Sequence, residues 1–330
     1  HYTYYNNLRD TSNNFKSSQG SSLLGPEWSS QEILAFLNSN KINYHKMDEN
    51  NRSKVIANFL AEGSVVGHFS GRSEFGPRAL GSRSILGDPT NKEMQTTINL
   101  KIKKRESFRP FAPAVLLDQV EKYFDINIES PHMLLVADVK SEIRKKIEKN
   151  LSNEDMLEEV KKIRSSIPAV THVDYSARIQ TVSSEQNKKF YDLIKSFEEL
   201  TNCSLVINTS FNVRGEPIVN SPRDAFMCFL STEMDILCLE NFYILKKEKK
   251  NLLNHFKIKK IDYGIKNIKL EKELDKIYKK NFLSSIKNKK DYLSISESSK
   301  WEIFKSENIN EMFDLKDEFN KEKTDPNRIV

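Results

Sequence analysis

Apolar positions along the first 245 residues fall into short blocks separated by polar turns. Ser29-Ser30-Gln31-Glu32 has the form of a capping box, and Ile33, Leu34, Phe36 and Leu37 follow it at helical spacing. A second helix is predicted from about Asn51 to Glu62, with Val55, Ile56, Phe59 and Leu60 on one face and Gly63 placed to end it. Ser64–Phe69 reads as a strand by its apolar run and length. Ser84-Ile85-Leu86 is a short strand broken by Gly87-Asp88-Pro89. Thr90–Lys104 reads as one helix, with Met94, Ile98 and Ile102 four residues apart. FRPFAPAVLL is extended, because each proline disfavours helix at the residue before it.

His132–Val139 and Ala177–Val182 are further strands. Between the second of these and the core strand Ser204–Asn208 lies a helix, Asn187–Leu200, with Phe190, Leu193, Ile194 and Phe197 turned inward. Ser221–Leu230 is a capped helix with proline at its first position, and Asp235–Leu245 supplies the last strands. Strands alternating with helices of this length predict an α/β or α+β fold with a twisted mixed β-sheet and flanking helices.

Three stretches fall outside that pattern. Residues 1–23 are polar and read as a linker or the remnant of a domain lying before residue 1. Residues 141–166 are densely charged and read as an insert in the main domain, 24–246. After Lys246 glycine almost vanishes, and 247–330 reads as a lysine-rich extension, mostly helical or disordered.

Composition narrows the function classes. The net charge is +6, and much of the positive charge lies in the extension. A basic tail suits nucleic acid or a membrane surface, but Asp and Glu accompany most of these lysines, as on a solvated face. No apolar run approaches the roughly eighteen residues of a membrane span, and the polar start has no signal-peptide core. Cys203, Cys228 and Cys238 sit in apolar contexts such as AFMCFL and DILCLE, which predicts buried free thiols and a reducing cytoplasm. No cysteine or histidine spacing of a zinc site is present.

The candidate chemistry sits in loops next to strands: 71–84, 101–114, 171–182 and 208–217. Together they carry Arg78, Arg83, Lys103, Arg109, Arg178 and Arg214, a strongly positive cleft if the sheet brings them together. Gly76 and Gly81 bare the backbone, and Ser82, Ser84, Asn208, Thr209 and Ser210 add hydrogen-bonding groups. Guanidinium forks and main-chain N–H groups suit phosphate. No loop is a Walker motif or a GxGxxG fingerprint. A phosphorylated small ligand, salt-bridged surface loops and RNA all remain open on residue types alone.

FGPRALGSRSILGDP, the K-x-R-E-x-F-R-P-F-A-P run, IPAVTHVDYSARIQTV and NTSFNVRGEPIV resemble the C-terminal domain of the NodU/CmcH-type O-carbamoyltransferases, from about Leu24 to Leu245. The resemblance implies a YrdC-like α/β unit that takes ATP, with Mg²⁺, and carbamoyl phosphate and makes carbamoyl adenylate. A preceding metal-dependent domain, with iron there and none in this chain, would pass the carbamoyl group to a hydroxyl acceptor.

Carried over motif by motif, Lys103 and Arg109 would hold the triphosphate and its α-phosphate. Arg78 and Arg178 would hold carbamoyl phosphate or the leaving phosphate. Asn208 and Ser210 would fix carbamoyl or phosphate oxygens. EFGPRALGSRS would then be a rigid phosphate cradle. His172 is a weaker candidate base, and Asp174 a weaker magnesium ligand. The expected partners are carbamoyl phosphate, the hydroxyl acceptor and the preceding domain, with a homodimer compatible, no membrane, and nucleic acid disfavoured. The alternative is a nucleotide- or RNA-binding YrdC-like module of the tRNA-modification type.

Overall fold

A computed structural model describes residues 21–147 and 162–246. The readings of 1–20, of the middle of the insert and of the 247–330 extension lie outside the described residues. The elements are α1 (Ser30–Ser39), β1 (His45–Lys46), α2 (Arg52–Ala61), β2 (Val66–Phe69), β3 (Arg83–Gly87), α3 (Met94–Thr97), β4 (Ala112–Leu116), α4 (Val120–Tyr123), β5 (Leu135–Asp138), β6 (Ser176–Val182), α5 (Lys188–Thr201), β7 (Leu205–Ser210), α6 (Pro222–Ser231), β8 (Ile236–Leu239) and β9 (Phe242–Leu245).

Local chemistry explains three of the helix starts. Ser29 and Glu32 form the reciprocal capping box, as do Ser221 and Asp224, with Pro222 opening α6. The Asn187 side chain accepts from the Phe190 N–H to start α5, whose buried face holds Phe190, Leu193, Ile194 and Phe197. The stretch expected as one helix over Thr90–Lys104 is different. Only Met94–Thr97 is α-helical; Ile98–Lys103 continues as a π-helical turn, and Lys104 ends it in the left-handed region at φ 47°. That turn buries Ile98, Asn99, Ile102 and Lys103. Wide turns of this kind recur where a helix must re-aim a side chain.

The nine strands form one mixed sheet in the order β1-β9-β8-β2-β3-β7-β4-β6-β5. The pairs β2–β8 and β4–β6 are parallel and the rest antiparallel. Central strands β2, β3, β4 and β8 are buried along their whole length, which explains their continuous apolar or small-residue runs. Helices α2 and α5 pack on each other, with α5 also against β4 and β7. Helix α1 lies against α6, the Phe36 ring edge-on to Phe226 at 6.1 Å. All three cysteines are buried and free, and burial pushes each thiol up to about 12.

The expected strand His132–Val139 begins only at Leu135, because Met133 takes a left-handed turn at φ 57°. The strand expected over Ser204–Asn208 runs on to Ser210, so Asn208 and Ser210 belong to β7 and not to the loop after it. At the insert, Lys145 N–H donates to the Arg164 carbonyl at 2.7 Å and Ser166 N–H to that of Ile143 at 3.0 Å, joining its two ends. Among the described residues no helix is long and apolar enough to cross a membrane.

Candidate functional site

Strand register decides which loops meet. β2 ends at Phe69 opposite Arg83, where β3 begins. β7 comes up beside β3, Ser210 opposite Ser84, and β4 starts beside β7, Ala112 opposite Asn208. β6 runs parallel to β4 and so begins at the same end. The loops 70–82, 104–111, 171–175 and 211–217 therefore converge on one end of the sheet, although more than a hundred residues separate the first from the last.

The expected site residues divide into two groups there. Arg78 is exposed near the tip of its loop, and Arg178 is half-buried on β6. Burial first, and then the charge of Arg78, hold the Arg178 guanidinium below its ordinary range, so the two cations are neighbours. The Arg178 Nε is buried with no hydrogen-bond partner. His172 lies beside them: burial pushes its imidazole down, Asp174 opposes this, and Arg178 adds to it. Asp174 accepts from the Ser176 N–H at 3.0 Å and its hydroxyl at 2.7 Å, the bonds of a side-chain-built turn.

The second group surrounds the turn after the π-helix. Arg109 projects into solvent with its side chain 59% exposed, 3.8 Å from Glu106. The main-chain N–H of Glu106 holds that residue's carboxyl low, and so do Arg109, Arg214 and Arg105. Arg105 donates to the Asn99 Oδ1 at 2.6 Å and lies over the Phe111 ring, and burial brings it to about 10.

Lys103 is buried beneath this group. Its Nζ donates to the Ser210 carbonyl, to the Ser210 hydroxyl at 3.2 Å, and to the Asn212 carbonyl and Oδ1 at 3.1 and 2.8 Å. Burial pushes the amine down to about 7, while four oxygen acceptors favour its charged form. Asn212 is a residue that sequence reasoning missed. Its signal was its place at the end of NTSFN, two residues after Ser210.

Asn208 is buried within β7. Its amide donates to the Ala79 carbonyl at 3.1 Å and to the Gln180 Oε1 at 2.7 Å, while Gln180 donates in turn to the Leu80 carbonyl at 2.9 Å. Two main-chain carbonyls thus fix both amides, and the Asn208 Oδ1 is left without a partner.

Arg83 does not join the cleft. It is fully buried, 3.6 Å above the Phe69 ring, and donates to the carbonyls of Ser70, Ser82 and Pro26. The cradle expected in EFGPRALGSRS is also occupied from within. Glu74 Oε1 accepts from the N–H groups of Leu80, Ser82 and Arg83, and Gly81 N–H donates to the Ser84 hydroxyl.

The base of that loop is woven into its surroundings. Phe75 N–H donates to the Ser22 carbonyl at 2.7 Å, Gly25 N–H to that of Ser73 at 2.9 Å, and Ser73 N–H to that of Pro26 at 2.9 Å. His68 Nδ1 donates to the Gly81 carbonyl at 2.7 Å, and its Nε2 accepts from Arg52 at 2.6 Å. The Glu240 carboxylate accepts from Gly71 N–H, from the Ser70 hydroxyl at 3.1 Å and from Lys189 at 2.9 Å.

Phe211 is fully buried and packs in the core, while Phe75 and Phe108 are exposed near the two cationic groups. Among the described residues no three His, Cys, Asp or Glu side chains gather to hold a metal ion. A surface cavity of about 420 Å³ lined by Glu121, Phe124, Asp125, Ile126, Asn127 and Lys140 shares no residue with the convergent loops, and its two carboxylates do not suit a polyanion.

The convergent end of the sheet thus carries guanidinium groups in two clusters. The family described as "Carbamoyltransferase C-terminus" matches residues 57–246. The chain is 51% identical over 227 residues to the uncharacterized protein sll1178 of Synechocystis sp., covering 68% of this chain and 37% of that protein. It is 40% identical over 194 residues to nodulation protein NolO of Bradyrhizobium diazoefficiens, covering 58% and 32%. It is 34% identical over 170 residues to the 3'-hydroxymethylcephem-O-carbamoyltransferase of Streptomyces clavuligerus, covering 52% and 28%. The chain spans about a third of the length of these curated relatives.

Proposed function

The chain belongs to the carbamoyltransferase C-terminal family, and from that premise we propose that residues 24–246 form its carbamoyl-activating unit. The unit binds Mg-ATP and carbamoyl phosphate at the convergent end of the sheet. Water releases phosphate from carbamoyl phosphate, a carbamate oxygen attacks the α-phosphorus of ATP, and pyrophosphate leaves. The product, carbamoyl adenylate, supplies the carbamoyl group for a hydroxyl of a sugar or secondary-metabolite acceptor, the transfer itself falling to a further domain. The relative from Streptomyces is named for transfer to a hydroxymethyl group.

The observation that carries this reading is the register-driven meeting of two cationic groups, Arg78 with Arg178 and Arg105 with Arg109 and Arg214. Two anionic substrates repel each other, and their approach must be offset by fixed positive charge. Chemistry at phosphorus asks for this kind of positioning and charge stabilisation more than for a nucleophile. Arg78 and Arg178 hold the carbamoyl phosphate side. Arg109 meets the triphosphate, and Lys103 supports it from below by fixing Ser210 and Asn212. Both Asn208 amide hydrogens are engaged within the protein, so Asn208 holds the Ala79 and Gln180 segments together and offers a ligand only its Oδ1. Magnesium arrives with the nucleotide.

The test is pyrophosphate release from Mg-ATP with and without carbamoyl phosphate. Release that depends on carbamoyl phosphate and drops in Arg109→Ala and Arg178→Ala supports the reading. ATP turnover indifferent to carbamoyl phosphate counts against it.

A further inference from the structure

A row of main-chain N–H groups aimed at one point is a common way to bind phosphate. In the Arg78 loop that point is taken by the loop's own side chain. The Glu74 Oε1 lies 2.8 Å from the Leu80 nitrogen, 2.7 Å from that of Ser82 and 3.1 Å from that of Arg83. The remaining N–H of this limb, Gly81, is engaged by Ser84 at 3.0 Å. None of the amides from 80 to 83 is left for a ligand. The tip, Phe75–Arg78, is the exposed part. The base on either side of it is held by Ser22–Pro26, His68 and Glu240.

We infer that Glu74 is a positioning residue: its carboxylate is a built-in anion that closes the loop and sets Arg78 beside Arg178. The inference rests on the reading of those two arginines as the carbamoyl phosphate side of the site. Without the carboxylate, three N–H groups lose a common acceptor, and the closing limb is held through the carbonyls of Ala79, Leu80 and Gly81 and the Gly81 N–H. Arg78 would then have to be ordered by the ligand, which weakens binding on that side alone. The ATP side, built on other loops, does not depend on Glu74.

The experiment uses the whole 330-residue chain. Calorimetry measures carbamoyl phosphate and Mg-ATP separately, and hydrogen exchange follows residues 76–86. Glu74→Ala is expected to weaken carbamoyl phosphate about tenfold, the effect of one well-made charged hydrogen bond, and to leave Mg-ATP within about twofold. It also speeds exchange at Leu80, Ser82 and Arg83. Formate, a small carboxylate able to refill the vacated point, restores affinity and protection in the variant and does neither in the parent. In an Arg78→Ala background Glu74→Ala adds little further loss, since the two residues act as one unit.

An additive loss in the double variant, an equal loss on ATP, or unchanged exchange overturns the inference. If Glu74→Ala does not fold, Glu74→Gln and Glu74→Asp replace it. Gln keeps an acceptor at the same reach and is expected to bind nearly as the parent does, whereas Asp falls short; identical behaviour of the two overturns the inference. If the parent binds no carbamoyl phosphate, the proposed function falls, and exchange with and without formate still decides the role of Glu74.

Discussion

Lys103 and Asn212 are joined twice, through the Asn212 Oδ1 at 2.8 Å and its main-chain carbonyl at 3.1 Å. With the bonds to Ser210, one buried amine ties the π-helical turn to the end of β7 and the loop after it. Substitution at Lys103 is therefore expected to change stability.

Lys103→Met removes the donors and leaves buried acceptors on Ser210 and Asn212, a cost of about 1–3 kcal/mol. It also changes the pH dependence. Burial lowers the folded amine from 10.5 to about 7. Between those values the unfolded chain keeps a proton that the folded chain has released, so this group makes stability rise with pH across the window. Urea titrations at pH 7 and pH 9 should show the difference between parent and Lys103→Met moving in the parent's favour. A difference that stays flat would mean that the four oxygens keep the amine charged.

His68 gives the opposite end of the pH scale. Burial, and then the Arg52 charge, hold its imidazole well below 6.5. As pH falls below 6.5 the unfolded chain takes up a proton that the folded chain refuses, and stability drops. Thermal unfolding should show part of the acid loss below pH 6.5 missing in His68→Gln, which can still donate to the Gly81 carbonyl. Equal slopes in the two proteins would contradict this.

Arg109 should separate function from stability. Its ion pair with Glu106 is a solvent-screened surface contact, so Arg109→Ala should move the unfolding free energy by no more than about 0.5 kcal/mol. The same variant should raise the KM for ATP about tenfold or more if the residue meets the triphosphate. Steady-state pyrophosphate release and a urea midpoint on the same preparation check both statements.

Gly81 and Gly76 lie in one loop but should respond differently. At Gly81, with φ 111°, an added Cβ would stand 2.2 Å from the Phe190 ring. Gly81→Ala is expected to cost more than about 3 kcal/mol, through strain and overpacking together. At Gly76, with φ 126°, nothing lies within 4 Å of an added Cβ. Gly76→Ala is expected to cost about 1 kcal/mol, the backbone strain alone. Differential scanning of the two variants gives the comparison.

Much of this architecture could be read from local chemistry. Ser29 with Glu32 and Ser221 with Pro222 marked helix starts because caps act within one turn. The α5 face of Phe190, Leu193, Ile194 and Phe197 followed from periodicity. The meeting of Arg78 with Arg178, a hundred residues apart, depended on sheet order, which no local window contains. Lys103 was read as a residue that touches the triphosphate, because nothing in KIKKR announces the π-helical turn that buries it. Glu74 was missed because its partners lie six to nine residues ahead and meet it only when the loop closes. Arg83 looked available for a ligand, although its register opposite Phe69 placed its guanidinium against that ring.

The position of β7 between β3 and β4 has a consequence for synthesis. Until Leu205–Ser210 has left the ribosome, β2–β3 and β4–β6–β5 are separate half-sheets, each with an unpaired inner edge. Such edges are sticky, and joining them requires closing a long loop. The nascent chain must keep them apart from each other's wrong partners and from neighbouring chains. The same insertion of β7 brings Ser210 and Asn212 to Lys103 and completes the convergent end of the sheet. A chain competent to bind is thus one in which β7 has already joined the two half-sheets, and ligand added during refolding should report on that step and on no earlier one.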